Sequence, residues 1–413
     1  MTILPKSLLT ILFATASSLM TAQTFDVDFS KKQPAYNGTM GYDFNTTELN
    51  KKNLKQMSYS FAVPDGNYRV SITLGSNAYA GKTIVRAESR RILTEQIDTK
   101  KKEFKTLSWT IHKRSPQINA EERVKTKPRE KDYLNWDDRL TLTFNGDAPA
   151  VKSIHIEPDT TAVTLFLCGN STVVDQENEP WASWGQPIVR WFDENVCIAN
   201  YAESGERTTS FMASKRLDKA LSMAKAGDYF LIEFGHNDEK DRGAGSGAWY
   251  NFSHNLKTFI DRIKAKGCTP ILITPTARRF FEGNNLKDTH GEYPAATRAV
   301  AQREGVGLID LTEMTMTLFS ACGPEGSKHL LVHYPANSFP GQETALADNT
   351  HFNVFGAYEV AKCIIMGLKK IEAPFVKYLR SDWQDFDPAK PDNWESFKLM
   401  PADNAEIEKP DGN

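Results

Sequence analysis

Val163-Thr164-Leu165-Phe166-Leu167-Cys168-Gly169-Asn170-Ser171-Thr172 decides the fold. An apolar run of strand length passes directly into a glycine and then into hydroxyl side chains, with no alternation of polar and apolar positions. That unbroken apolar character suits a strand covered on both faces of a parallel sheet. Runs of the same kind recur at 196–199, 229–234, 269–274 and 307–309. Between them lie amphipathic stretches of helix length at 186–195, 210–226, 251–266 and 294–304, and a last one follows at 354–370. Strand-length runs alternating with helix-length stretches predict an α/β architecture over 160–380, a mostly parallel sheet between two helical layers.

Upstream of this region the period changes to two. Tyr68, Val70, Ile72 and Leu74 alternate with polar residues, as do Leu107, Trp109 and Ile111, then Leu140, Leu142 and Phe144. Turn residues at Pro64-Asp65-Gly66-Asn67 and Asn145-Gly146-Asp147 separate such runs, so 23–159 is expected to form an all-β sandwich. Its most charged stretch, 115–137, reads as an exposed loop. Ahead of it, Lys6 precedes an apolar run over 8–20 and small residues reach Ala22, the pattern of a signal peptide over 1–22 with the mature chain starting near Gln23. Thr10, Thr15, Ser17 and Ser18 interrupt the run, which is shorter than the about 20 apolar residues a membrane span needs. The first cysteine is Cys168, so no residue near the cleavage region can carry a lipid, and a secreted or periplasmic location is expected. The tail 381–413, rich in Pro, Asp and Trp, is expected to lie extended over the surface through Trp383 and Trp394.

The 413 residues are 40% hydrophobic and 25% charged, as in an ordinary globular protein. Fifty basic against 52 acidic side chains supply no broad positive field, which argues against binding nucleic acid through phosphate neutralisation. The five cysteines are far apart and form no metal-binding pair; buried free thiols are expected.

In open parallel sheets, ligands bind outside the carboxyl ends of the strands. Ser171 lies just after the first of these ends and is a candidate nucleophile, the alternative being a helix cap. After the second strand, Gly205 in Ser204-Gly205-Glu206-Arg207 can bring a backbone N–H to the same point. After the third, Gly235-His236-Asn237-Asp238 offers the Asn237 carboxamide as a donor to an oxyanion, or as a turn residue. Near the last helix, Asp348-Asn349-Thr350-His351 sets a carboxylate three residues before an imidazole, so that Asp348 can orient His351 and His351 can take a serine proton.

The ordered set of four blocks resembles the SGNH or GDSL hydrolase family over about 162–375. The resemblance implies a flavodoxin-like three-layer fold. It implies Ser171 as nucleophile, His351 as base, Asp348 as its orienter, and the Ser171 and Gly205 amides with the Asn237 side chain as oxyanion donors. No metal or organic cofactor is implied. Asn170 departs from the family, whose block has an aspartate there; the amide keeps an acceptor and loses a charge.

Ser171-Thr172-Val173-Val174-Asp175-Gln176, Thr274-Pro275-Thr276 with Arg278-Arg279-Phe280, and Thr289-His290-Gly291-Glu292-Tyr293-Pro294 look like the rhamnogalacturonan acetylesterase branch. The β-region, with Trp136-Asp137-Asp138, is similar to the galactose-binding-like sandwich carried by bacterial members. By this resemblance the substrate is acetylated pectic polysaccharide, with rhamnogalacturonan I foremost. Acetylated xylan, another acetylated glycan, a lipid-like ester and a non-catalytic carbohydrate-binding role are the alternatives. The Gly243-Ala244-Gly245-Ser246-Gly247 loop argues for an open polar cleft over an apolar tunnel. Arg278 and Arg279 are candidate partners for galacturonate carboxylates, or else members of salt bridges. Asn170, His236 and His290 are further candidates for the cleft. Trp181, Trp184, Trp249 and Tyr250 can stack on sugars or pack in the core.

Overall fold

The computed structural model describes residues 23–43, 55–402 and 409–411; the signal peptide expected over 1–22 lies outside the described residues. A single nine-stranded sheet runs through the molecule. Its order is Phe25–Asp28, Val151–Pro158, Gly66–Leu74, Lys105–Lys113, Val196–Asn200, Val163–Cys168, Tyr229–Glu233, Thr269–Ile273, Gly307–Ile309. The last five strands are parallel and in chain order read second, first, third, fourth, fifth, the doubly wound arrangement of flavodoxin-like sheets. The order reverses between Val163–Cys168 and Tyr229–Glu233. Ser171 and Asn237 follow those two strands.

The first four strands pair antiparallel, and Lys105–Lys113 joins Val196–Asn200 in parallel through Cys197 opposite Thr110 and Ile198 opposite Ile111. The change of grammar at Asp159 therefore marks a change of strand direction inside one sheet. A second sheet, of Met40–Tyr42, Gln56–Ala62, Arg139–Ala148, Gly81–Ala87, Arg91–Ile92 and Ile97–Thr99, packs on the antiparallel end. Phe25 meets Phe61 edge-on at 5.3 Å between ring centroids, and Tyr59, Val70, Ile72, Leu140 and Ile154 share one buried cluster. The second sheet suggests the all-β sandwich expected over 23–159 only in part, because the sheet it packs on continues into the α/β half.

Two expected helices are corrected, and one helix is added. The stretch 186–195 is no helix; it holds one short turn, Ile188–Trp191. Ile188, Val189, Trp191 and Phe192 are buried while Arg190, Asp193, Glu194 and Asn195 stay partly exposed, so the segment buries its apolar residues as irregular chain along the core. The helix expected over 210–226 is two, Thr208–Ala213 and Arg216–Met223, broken at Lys215, whose backbone is left-handed at φ 64°. A helix not anticipated, Leu311–Gly326, follows the fifth parallel strand and is capped by Asp310, whose carboxylate accepts from Glu313 N.

The charged stretch 115–137 is not simply exposed: Val124, Glu130, Asn135 and Trp136 are buried. Glu130 accepts from Trp136 Nε1 at 2.8 Å and pairs with buried Arg216. All five cysteines are free thiols. Trp383 of the tail packs on Trp191, and Trp394 stacks on His329 at 3.7 Å. Among the described residues no helix is long and apolar enough to cross a membrane.

The two halves are tied by buried charge. Arg91, from the second sheet, donates Nε to Asp175 Oδ2 at 2.7 Å, Nη1 to His112 O at 3.0 Å and Nη2 to Asn135 Oδ1 at 2.8 Å. The pair is 2% and 0% exposed. Deleting one member of such a pair strands the other charge away from water. Arg91→Ala is expected to lower the unfolding free energy by about 3–5 kcal/mol, read as a lower urea midpoint. Adding Asp175→Asn should recover part of that loss, because the stranded charge is then gone.

Candidate active site

Ser171 sits in a turn that its neighbours build. Gly169 lets the chain bend there: a Cβ on it would come within 2.5 Å of Val173 Cγ2 and 2.9 Å of Glu233 O. Asn170 Oδ1 accepts from Thr172 N at 3.1 Å, closing an Asx turn around the serine. The Ser171 carbonyl accepts from Ser183 Oγ at 2.6 Å and Gln176 Nε2 at 3.1 Å. No helix begins at Ser171, so a capping role is not what the fold gives it.

The side chain of Ser171 faces His351, with Oγ 2.9 Å from Nε2, and His351 Nδ1 lies 2.7 Å from Asp348 Oδ2. Serine and histidine are 180 positions apart in the chain and meet because the strand Leu346–Phe352 returns to the carboxyl ends of the sheet. With Nδ1–H donated to Asp348, Nε2 is the nitrogen that accepts from the serine hydroxyl. Asp348 Oδ1 also accepts from Thr350 N and His351 N, at 2.9 and 3.0 Å. Burial disfavours its charge, but the hydrogen bond and charge of His351 and these two amides outweigh it and hold the carboxyl far below the usual range.

Gly205, with φ at +79°, and Asn237 lie on neighbouring loops that touch. Asn237 Nδ2 donates to Glu206 O at 3.1 Å, which commits one amide proton and orients the other. Asp238 holds this turn by accepting from Gly235 N and from Thr208 N and Oγ1.

The remaining residues singled out in the sequence have internal partners. Arg278 pairs with Glu239 at 2.6 Å and donates to His236 O, while Arg279 donates to Ser327 Oγ, Asn349 Oδ1 and Pro324 O. Both guanidiniums are engaged within the protein, Arg278 in a salt bridge and Arg279 in hydrogen bonds to neutral oxygens. His290 is buried between Glu239 Oε2 and Thr276 O, at 2.8 and 2.7 Å. His236 meets Thr276 Oγ1 with Nε2 and stacks edge-on with His290, while its buried Nδ1 has no partner. Burial, helped by the charges of His290 and Arg278, drives the His236 pKa well down, so the ring is neutral. Asn170 is fully buried and its Nδ2 is without a partner. Trp181 and Trp184 are core residues, whereas Trp249 and Tyr250 are exposed. The 243–247 loop borders an open polar cleft of 520 Å³ lined by Glu239, Arg242, His290 and Tyr293. Among the described residues no group of three His, Cys, Asp or Glu side chains is placed to hold a metal.

Glu233 is a residue to which the sequence reading assigned no role. It ends the third parallel strand, fully buried beneath the serine turn, and accepts from Trp184 Nε1 at 2.6 Å. Thr172 Oγ1 lies 2.9 Å from Asn170 Oδ1 and 2.8 Å from Glu233 Oε1. One hydroxyl proton cannot serve both acceptors. A protonated Glu233 resolves the conflict by donating to Thr172, and burial does push its pKa up to about 7. An aspartate at 170 would place a second carboxyl on the same hydroxyl, which gives the amide of Asn170 a physical reason.

Because the folded pKa of Glu233 lies above the unfolded value, the carboxyl contributes its stability fully below about pH 4.5 and loses it as pH rises through 7. Thermal unfolding of wild type beside Glu233→Gln should show the variant gaining on wild type between pH 5 and 8, by on the order of 1–3 kcal/mol. A difference that stays flat across that range would mean Glu233 is ionised in the fold.

A model of the GDSL-like lipase/acylhydrolase family matches residues 167–357, from the strand before Ser171 to the helix after His351. Rhamnogalacturonan acetylesterase RhgT of Bacillus subtilis strain 168 is 39% identical over 222 residues, 53% of this chain and 95% of that protein. The rhamnogalacturonan acetylesterase of Emericella nidulans is 26% identical over 237 residues, 52% of this chain and 89% of that one. Uncharacterized esterase YxiM of Bacillus subtilis strain 168 is 26% identical over a longer span, 321 residues, or 76% of this chain and 74% of that protein. With one relative matched along nearly its whole length and the family model spanning all four blocks, the chain belongs to the GDSL-like lipase/acylhydrolase family of ester hydrolases.

Proposed function

We propose that this chain is an exported serine esterase that removes O-acetyl groups from pectic polysaccharide, rhamnogalacturonan I foremost, through an acetyl-enzyme on Ser171. The observation that carries the reading is the hydrogen-bonded line from Ser171 Oγ through His351 to Asp348 at the carboxyl ends of a doubly wound sheet. The acetylesterase relatives supply the acyl group and the glycan class.

The chemistry follows from the geometry. His351 Nε2 takes the Ser171 proton as Oγ attacks the acetyl carbonyl carbon, and the oxyanion is met by the Ser171 and Gly205 amides and the Asn237 side chain. The C–O bond to the sugar then breaks, and the sugar oxygen leaves with the proton held on His351. Water, deprotonated by the same nitrogen, attacks the acetyl ester of Ser171, and His351 returns the proton to Oγ as the ester bond breaks and acetate is released. Asp348 stays ionised throughout and stabilises the imidazolium.

Acetate release from acetylated rhamnogalacturonan, acetylated xylan and an aryl acetate tests the reading. Wild type should act on the pectic substrate, and Ser171→Ala should abolish release from all three. Aryl acetate cleavage without release from pectin would move the substrate elsewhere; release that survives Ser171→Ala would end the serine mechanism. Asp348→Asn, which leaves the shape and disfavours the productive tautomer, should lower kcat by about 1,000-fold or more with the fold intact by circular dichroism.

A further inference from the structure

Arg278 and Arg279 are engaged within the protein, yet a carboxylate is held beside the site by two other cations. Lys127 and Arg129 lie in the charged stretch that folds back from the β-region onto the loop after Val196–Asn200. Lys127 Nζ donates to Ser204 O, and Arg129 Nη2 donates to Ser204 O and to Glu203 Oε1. Both then reach past these partners to one carboxyl oxygen, Asp411 Oδ2, which lies 3.3 Å from Lys127 Nζ and 3.3 Å from Arg129 Nη1.

The position of that carboxylate is informative. A Cβ on Gly205 would lie 3.0 Å from Lys127 Nζ and 2.9 Å from Asp411 Cβ. The Asp411 side chain is therefore seated against the residue whose amide faces the oxyanion in the proposed mechanism. At the other side of the mouth, Lys409 Nζ is 3.6 Å from Asp348 Oδ2. Residues 409–411 thus cross the catalytic groups from the acid to the oxyanion donors. A glycan chain presenting its acetyl group to Ser171 must lie where these residues lie.

We infer that Lys127 and Arg129 form a subsite for the carboxylate of a uronic acid residue of the substrate, and that Asp411 is its intramolecular occupant. The inference rests on the reading of the substrate as an acidic acetylated glycan. Lys127 is 27% exposed and Arg129 20%, enough to meet a ligand from solvent while the low dielectric of the wall strengthens the contact. Glu203 is the acidic group facing the pair from below. Burial, reinforced by the charge of Glu130, pushes its pKa up, so it does not cancel the two cations outright. A neutral sugar bearing the same acetyl group offers nothing to exchange for Asp411. Selectivity for acidic glycans arises because a substrate carboxylate replaces the protein's own.

The test uses inhibition of aryl acetate hydrolysis by digalacturonate and by its dimethyl ester, on the full chain. Digalacturonate should inhibit wild type at least about tenfold more strongly than the ester, the worth of one charge-assisted hydrogen bond. Lys127→Met should weaken inhibition by the acid by about that factor and narrow the gap to the ester. Asp411→Asn, which alters no wall of the site, should strengthen inhibition by the acid several-fold. Equal inhibition by acid and ester in wild type would overturn the subsite. So would an equal loss for both in Lys127→Met, or unchanged inhibition in Asp411→Asn. The readout is independent of pectin hydrolysis: digalacturonate that competes at Lys127 while acetylated rhamnogalacturonan is untouched removes the substrate assignment and leaves the subsite.

Discussion

The buried ion pair between Arg91 and Asp175 is the constraint on which the catalytic face depends. After Ser171 the chain runs to Pro187 without helix or strand. Such a segment carries backbone donors and acceptors that regular structure does not satisfy, and most of it is buried. The partners come from the β-region. Arg90 donates to the carbonyls of Gln176 and Trp181 and pairs with Glu179, while Arg91 holds Asp175. Asp175 in turn accepts from Asn200, which also fastens the Val173 carbonyl. The serine turn is thus stitched to the second sheet by two adjacent arginines.

The same dependence appears in the main sheet. Without Lys105–Lys113, the strand Val196–Asn200 would be an open edge of apolar residues beside the site, a surface that pairs readily with other chains. Continuity of the sheet covers that edge. It also fixes where the following stretch, 115–137, must fold, and so delivers Lys127 and Arg129 to the loop that holds Gly205. The β-region is part of the wall of the cleft as well as its support.

The α/β half was legible because its signals are local. Three of the five apolar runs, at 163–168, 196–199 and 229–234, pass into Gly or Asn, and a doubly wound sheet brings those ends together, so the order of the blocks and their resemblance to a known family singled out Ser171, Gly205 and Asn237. Asp348 and His351 were legible as a pair three residues apart. What stayed hidden depends on partners far along the chain. Alternation at Leu107, Trp109 and Ile111 identifies a strand but cannot say that its neighbour is 196–200. Charges in 115–137 suggested solvent, yet Glu130 finds Arg216, 86 positions away. The amphipathic stretch 186–195 had the length of a helix, and period alone cannot separate a helix from irregular chain that buries the same apolar residues. Leu311–Gly326 did carry a signal, Asp310 three residues before Glu313, which is the spacing of a capping box.

Charge, finally, is rationed around the serine. In the proposed reaction a negative oxyanion forms beside Gly205 and Asn237 while a positive imidazolium forms on His351. A permanent carboxylate near the oxyanion would oppose it unless cations pair with it, as Lys127 and Arg129 do for Asp411, and one near the imidazolium would favour it. Asp348 touches the imidazole and is held ionised by hydrogen bonds. Glu233 lies under the serine turn and is pushed toward its neutral form by burial, as are Glu203 beside Ser204 and Gly205 and Asp238 in the turn that holds Asn237. Burial thus acts on four acidic groups of similar chemistry; Asp238 accepts as many hydrogen bonds as Asp348, so it is the His351 imidazole, by its hydrogen bond and charge, that decides which one keeps its charge. The group that does is the one aligned with the proton's path.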